Sequence, residues 1–323
     1  MVASRGQPLI PVTVLVCTRN RAAILEEGLF SIIADQAASG RELVVVDNGS
    51  TDNTAAVVSE LARTAPFPVR YVHEPVAGHS LARNTGIRES SGELVLFTDD
   101  DTLVEKGWTD ALVAPFTDPA VGVVGGRILP QWPSEPPVWL TGLAAELLAI
   151  KDLGDAPREL SGGEMPIGAN MAIRRRLLGD DPFDTSTGNR DGEVAGYDEV
   201  ALIDRLSRSH QVAYTPAAVV RHRVARARMT RASIRRAALH NGFGQTRYER
   251  AIGRRHGWPA AVLGSLQWSA RATLRRLRNN RRAELSPAEA EWEFAFYRRL
   301  GSELDAATWR SASLNSWLMN HLA

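Results

Sequence analysis

Along roughly the first 130 positions, short unbroken apolar runs alternate with stretches in which apolar residues recur at helical spacing. The runs VTVLVCT (12–18), ELVVVD (42–47), VRYVHE (69–74), ELVLFTDD (93–100) and VGVVGGRI (121–128) are rich in β-branched residues, as strands buried on both faces are. Between the first two, Leu25, Leu29, Ile32 and Ile33 form one stripe and predict a helix over about 22–37. The turn NGSTDNT (48–54) offers Ser50, Thr51 or Asp52 as N-cap for a helix to about Arg63. Further helices are expected over SLARNTGIRESS (80–91) and near Lys106–Phe116. Strand and helix in alternation predict an α/β fold with a mostly parallel sheet covered on both sides.

Beyond 130 the pattern changes. Residues 130–165 are rich in Pro, Gly and Trp and read as a loop-heavy connection around one short helix. After Arg223 the chain turns helical and basic to near Arg282. Ser286-Pro287-Ala288-Glu289 then has the spacing of a capping box with proline at the first helical position. It opens a helix with Trp292, Phe296 and Leu300 on one stripe, and Leu314, Leu318 and Leu322 predict a last short helix.

In mostly parallel sheets, ligands bind beyond the carboxyl ends of the strands. Thr18-Arg19-Asn20, Asp47-Asn48 and Asp99-Asp100-Asp101 all fall at such ends, so three strands deliver polar residues to one rim. The triple aspartate carries the chemistry. Strand alternation would turn Asp99 and Asp101 one way and Asp100 the other, and adjacent unpaired carboxylates are costly to bury. One resolution is a divalent cation: Mg²⁺ or Mn²⁺ prefers oxygen ligands and is typically held by one or two carboxylates plus substrate phosphates. The other is a solvated turn, since Asp is common in turns.

VTVLVCTRNR (12–21), LVVVDNGSTDNT (43–54), GHSLARNTGI (78–87), LVLFTDDD (94–101), GANMAIRR (168–175), GYDEVALIDRL (196–206) and YTPAAVVRH (214–222) occur in this order. Together they resemble the family 2 glycosyltransferases, over about residues 10–225. The resemblance implies a GT-A fold, a Rossmann-like nucleotide-diphospho-sugar transferase sheet. Residues 1–225 would form the catalytic domain, with 10–125 binding the nucleotide-sugar and 126–225 the acceptor; 226–323 would be a helical, basic C-terminal extension. It implies an inverting, metal-dependent enzyme using Mn²⁺ or Mg²⁺ and a UDP-, dTDP- or GDP-linked sugar. The acceptor would be a glycan, a lipid-linked carrier or a small molecule, in cell-envelope or other glycoconjugate synthesis.

The same resemblance distributes roles. Thr18, Arg19, Asn20, Asp47, Asn48, Arg83, Asp99 and Asp100 would bind the nucleotide-sugar. Asp101, Asp99 and His222 would hold the metal, and Gly168, Ala169 and Asn170 the acceptor. Where the family usually has Glu-Asp, this chain has Asp198-Glu199. Counting back from Arg205-Leu206 gives Glu199 the place of the base, while a one-residue shift would give it to Asp198.

Charge is unevenly spread. Residues 1–124 contain 9 basic and 16 acidic side chains, whereas 205–282 contain 19 arginines and one acid, Glu249. An amphipathic basic helix with Val262, Leu266, Ala270, Leu274 and Leu277 on one stripe could meet an anionic membrane surface through 226–282, with Trp258 and Trp268 at headgroup level. Equally, its apolar side could pack on the protein and leave the arginines solvated. No helix-turn-helix, zinc-finger or RNA-recognition signature accompanies the arginines, so nucleic acid is not an expected partner. A sugar nucleotidyltransferase is the alternative enzyme, since it too pairs strand-end aspartates with Mg²⁺. Cys17 is the only cysteine and excludes an intramolecular disulfide. With no signal-peptide pattern and no spanning apolar run, the expected location is the cytoplasm, with peripheral attachment to the inner membrane face if the basic helix binds lipid.

Overall fold

A computed structural model describes residues 10–35, 41–161, 163–185, 197–253 and 284–308. The chain divides into two compact units, one of Met1–Gln131, Lys151–Asp191 and Asp198–Arg223, the other of Trp132–Ile150, Gly192–Tyr197 and Val224–Ala323.

The first unit is built on β1 (Val12–Thr18), β2 (Arg41–Asp47), β3 (Val69–His73), β4 (Leu94–Asp99), β5 (Thr102–Val104), β6 (Val121–Gln131), β7 (Arg158–Glu159), β8 (Asn170–Arg174) and β9 (Gln211–Arg223). They form one sheet in the order β3-β2-β1-β4-β8-β6-β9-β5, with β7 pairing β9. The β3-β2-β1-β4 half is parallel throughout, as is the long β6–β9 pairing, while β8 runs antiparallel between β4 and β6. Helices α1 (Ala22–Ala34), α2 (Thr54–Thr64), α3 (His79–Glu89), α4 (Trp108–Val113) and α6 (Asp198–Ser207) belong to this unit. The expectation of a largely parallel α/β sheet holds.

Period-two alternation sorts the strand residues into two cores. Val14 and Val16 of β1, Leu43 and Val45 of β2 and Leu96 of β4 pack with Leu25, Leu29, Val58 and Trp108 on one side. Leu15, Val44, Val46, Val95 and Phe97 pack with Ala82, Ile87, Leu202 and Ile203 on the other. Both faces are covered, which explains why the runs are continuously apolar rather than alternating. Helix α2 starts at Thr54, later than the cap candidates, because Asp52 accepts from Thr54 N (3.1 Å) and Oγ1 (2.5 Å) and closes its own turn first.

The second unit contains α5 (Leu143–Glu146), α7 (Arg231–Ala251) and α8 (Pro287–Thr308). The capping box is present: Glu289 Oε2 accepts from Ser286 N at 3.0 Å, and Ser286 Oγ accepts from Glu289 N at 3.4 Å. The ring of Trp139 lies 5.6 Å from that of Phe294, within a core that also takes in Leu140, Ile234 and Tyr297. Helices α7 and α8 touch backbone to backbone. A Cβ at Gly242 would collide with the Arg298 carbonyl, and one at Gly301 with the Leu239 carbonyl.

Two acids buried on α8 hold arginines of α7. Glu293 accepts from Arg231 Nε at 2.7 Å and Arg235 Nε at 2.6 Å, and Asp305 from Arg247 Nε at 3.2 Å and Arg250 Nη2 at 2.7 Å. Arg208, Arg221 and Arg223 likewise pair with Asp204, Glu105 and Glu27. At least these seven of the nineteen arginines in 205–282 therefore meet acids from outside that window. The remaining membrane-facing expectation, including Trp258, Trp268 and the stripe from Val262 to Leu277, lies outside the described residues, as do Leu314, Leu318 and Leu322. Among the described residues no helix is long and apolar enough to cross a membrane.

Gly242→Ala should lower stability by about 1–3 kcal/mol, the usual cost of overpacking a tight contact. Urea unfolding reads this out, and an unchanged or raised midpoint would contradict the close helix contact.

Candidate active site

Register places the site. Thr18 at the end of β1 pairs with Asp47 at the end of β2, and Cys17 pairs with Asp99 at the end of β4. The aligned strand ends make one rim. On the far side β5 pairs with β9 so that Thr102 faces His222, and Arg223 N donates to the Asp101 carbonyl at 2.8 Å.

The three aspartates do not alternate as an extended strand would require. Strand β4 ends at Asp99, because Thr102 Oγ1 donates to the Asp99 carbonyl at 2.8 Å and folds 99–102 into a turn. Asp100 and Asp101 consequently converge on one cation. Arg21 Nη1 donates to Asp100 Oδ1 at 2.8 Å and to Asp101 Oδ2 at 3.0 Å. Thr18 Oγ1 donates to the other Asp100 oxygen at 2.7 Å. Burial, opposed by Arg21 and reinforced by Asp101, pushes the Asp100 pKa up to about 6. Asp101 Oδ1 lies 3.3 Å from His222 Nε2, and the buried imidazole's Nδ1 has no hydrogen-bond partner.

Asp99 looks the other way, towards Arg83 on α3, whose Nη2 is 3.8 Å from Asp99 Oδ1. Arg83 Nη1 donates to Glu199 Oε2 at 3.0 Å, and its guanidinium sits 5.2 Å above the Phe183 ring. Burial works against the Arg83 charge, but Glu199, Asp198 and Asp99 raise its pKa further still. The same Glu199 oxygen accepts from Gly168 N at 3.1 Å. Burial pushes Glu199 up to about 7, against the pull of Arg83. Its neighbour Asp198 is 3% exposed and accepts from Ser80 Oγ at 2.8 Å.

Other predicted residues serve the frame. Asp47 is buried and accepts from Ser50 N at 2.8 Å and Tyr71 OH at 2.7 Å, fixing the β2–α2 turn. Asn48 donates to the Glu74 and Val76 carbonyls and accepts from Gly78 N, clamping the loop before α3. Asn20 has φ 54 and accepts from Thr51 N at 2.7 Å, tying the β1 loop to the β2 loop. Arg19 is exposed at the rim.

Two acceptor candidates are placed differently from expectation. Asn170 is fully buried: its amide donates to the Arg127 and Ala218 carbonyls and its oxygen accepts from Trp108 Nε1. Ala169 is buried in the sheet core. Both face inward at the start of β8, while Gly168, also buried, meets Glu199 through its amide. A Cβ there would collide with Arg83 Nη2 and Glu199 Oε2.

Sequence reasoning missed Arg21, His79 and Ser80, although all lie inside the quoted motifs. Their roles depend on which acid lies opposite, information that spacing does not carry. Burial and then Arg83 push His79 down to about 4, so it is neutral at pH 7. Cys17, half-buried and with its thiol raised to about 12 by burial, is no nucleophile.

Among the described residues no group of three or more His, Cys, Asp or Glu side chains forms a ready-made metal cage. The donors present fit a divalent ion that brings its own further ligands. Asp101 would supply oxygen, His222 a buried nitrogen, and phosphate and water would complete the shell.

A parallel sheet with carboxylates and arginines gathered at its strand ends is the framework of a GT-A transferase. Residues 13–180 match the family model for glycosyl transferase family 2, and the chain belongs to that family; it is a glycosyltransferase. The sugar nucleotidyltransferase alternative is thereby set aside. The succinoglycan biosynthesis protein ExoM of Rhizobium meliloti (strain 1021) is 28% identical over 262 residues, 77% of this chain and 79% of that one. The validoxylamine A glucosyltransferase of Streptomyces hygroscopicus subsp. jinggangensis (strain 5008) is 32% identical over 162 residues, 48% of this chain and 37% of its own. Among solved structures, the mannosyltransferase PcManGT of Pyrobaculum calidifontis, in complex with GDP-Man and Mn²⁺, is similar in fold, with a TM-score of 0.55, 19% identity, and 97% of this chain and 79% of that one covered. GalNAc-T7 with UDP, GalNAc and Mn²⁺ has a TM-score of 0.51 at 18% identity, covering 67% of this chain and 43% of its own.

Gly168→Ala should cut turnover about 10²-fold, as misplacement of reacting groups by about 1 Å does, because the added methyl parts Arg83 from Glu199. Steady-state kinetics with an unchanged far-ultraviolet circular dichroism spectrum would check it; wild-type turnover would contradict the contact.

Proposed function

We propose that this enzyme is an inverting, divalent-metal-dependent glycosyltransferase that moves a sugar from a nucleoside diphosphate to an acceptor hydroxyl, with Glu199 as the general base. The observation that carries this reading is the position of Glu199. It is held by Arg83 and Gly168 at the end of the rim where Asp99 lies, with burial pushing its carboxyl up to about 7. A base poised near the working pH is the efficient choice. Asp198, buried against Ser80, serves better to anchor α6 to α3.

On this reading Glu199 accepts the hydroxyl proton as the acceptor oxygen attacks the anomeric carbon from the face opposite the leaving group, which inverts that carbon. Arg83 keeps the Glu199 carboxylate aimed at the acceptor and adds positive charge beside the departing diphosphate. Asp101 and His222 would hold the Mn²⁺ or Mg²⁺, with Asp100 behind them. When bound, the ion acts as a Lewis acid on the diphosphate oxygens. Asp47 and Asn48 fix the loops that would receive the nucleotide through their hydrogen bonds, and Arg19 would meet phosphate. Neutral His79 leaves the rim free of a further positive charge at pH 7. The similarity to a succinoglycan biosynthesis protein favours a glycan acceptor over a small molecule. The Mn²⁺ complexes of fold-related enzymes favour manganese.

Glu199→Gln should reduce kcat by about 10²–10⁴-fold, the usual worth of a general base, whereas Asp198→Asn should chiefly lower stability. The reverse pattern would move the base to Asp198. Glu199 must be ionised to take a proton, so log kcat/KM should rise with unit slope up to about pH 7 and then level. Arg83 favours the carboxylate, so Arg83→Gln should shift this limb to higher pH. A limb that stays in place would remove the coupling.

A further inference from the structure

We propose that Arg21 is a resident cation for the Asp100–Asp101 pair, occupying the carboxylate oxygens in the metal-free enzyme and yielding them when a divalent ion binds. This rests on the divalent-ion reading above and extends it to a residue that sets how tightly the ion is held.

A single nitrogen, Arg21 Nη1, contacts both carboxylates, at 2.8 Å and 3.0 Å. The partners differ in freedom: the Arg21 side chain is 48% exposed, against 7% for Asp100 and 14% for Asp101. The aspartates are fixed by the 99–102 turn and by Thr18. Apart from these two carboxylate contacts, Arg21 is held at its backbone, where its carbonyl accepts from Ile24 N and Leu25 N at the start of α1. Rotation about its side-chain bonds can therefore withdraw the guanidinium without disturbing core packing.

The exchange follows from charge. One guanidinium neutralises one of two adjacent negative charges, whereas a divalent ion neutralises both, and both cations draw on the same Asp101 carboxylate, Arg21 at Oδ2 and the His222 side at Oδ1. Part of the ion's attraction is thus spent in breaking the Arg21 contacts, which weakens binding of the metal alone. The displaced guanidinium stays at the rim, where phosphate oxygens suit its planar fork. A nucleoside diphosphate arriving with the ion gives Arg21 a new partner. Metal and nucleotide are thereby coupled, each favouring the other. Arg21→Lys keeps the charge and should preserve much of this behaviour, while Arg21→Gln removes it.

The test is electron paramagnetic resonance titration of free Mn²⁺ against the full-length protein, first alone and then with UDP, GDP or dTDP. Arg21→Gln should bind Mn²⁺ alone about tenfold more tightly than wild type, within the usual range of coupling. The gain in Mn²⁺ affinity on adding nucleotide should shrink in this variant, and Arg21→Lys should stay near wild type. Equal or weaker Mn²⁺ affinity in Arg21→Gln overturns the proposal for Arg21 and leaves the metal reading standing. Failure of wild type to bind Mn²⁺ with any of the three nucleotides overturns both. Should Arg21→Gln not fold, phenylglyoxal labelling of wild type decides: Arg21 should react faster with Mn²⁺ present, and an unchanged rate overturns the exchange.

Discussion

The rim is governed by mutual repulsion among Asp99, Asp100, Asp101, Asp198 and Glu199, which the fold crowds together at buried or half-buried positions. Two arginines resolve it from opposite sides. Arg21 meets Asp100 and Asp101, and Arg83 meets Asp99 and Glu199. Removing one partner from such a cluster leaves an uncompensated charge in a poorly solvated place, which costs several kcal/mol as a rule. Thr102 sets the aspartate turn, and the two arginines offset the repulsion that its carboxylates and Glu199 at the start of α6 would otherwise carry.

The two arginines differ in what surrounds them. Arg83 is buried, lies over Phe183 and shares Glu199 with the Gly168 amide, so it behaves as a fixed part of the frame. Arg21 projects from the start of α1 with half its side chain in solvent, so it behaves as a replaceable one. The same asymmetry divides the acids. Glu199 is held by a rigid positive charge that opposes the upward push of burial on its carboxyl. Asp100 and Asp101 face a half-exposed charge.

Much of this was legible in the sequence because it depends on local pattern. Continuous β-branched runs identified buried strands, and the positions of Thr18, Asp47 and Asp99 at their ends identified the rim. The Ser286–Glu289 box marked the start of α8. What pattern could not supply was partnership across the chain. Strand alternation misplaced Asp99 relative to Asp101, because a single hydroxyl, that of Thr102, ends β4 one residue earlier and converts the acids into a turn. Asn170 resembled an acceptor contact by its place after Gly168, yet its amide completes hydrogen bonds inside the sheet. The arginine excess of 205–282 looked unbalanced because Glu293 and Asp305 lie beyond the window in sequence while meeting α7 in space.

The most direct test of a carboxylate rim that gathers a cation and a diphosphate is isothermal titration of nucleoside diphosphates in Mn²⁺ and, separately, in excess chelator. At least one nucleotide should bind about tenfold or more tightly with Mn²⁺, on the scale of ordinary site–site coupling, and Asp101→Ala should abolish the difference. Equal affinity with and without the metal, in a protein that binds the nucleotide well, would contradict such a rim.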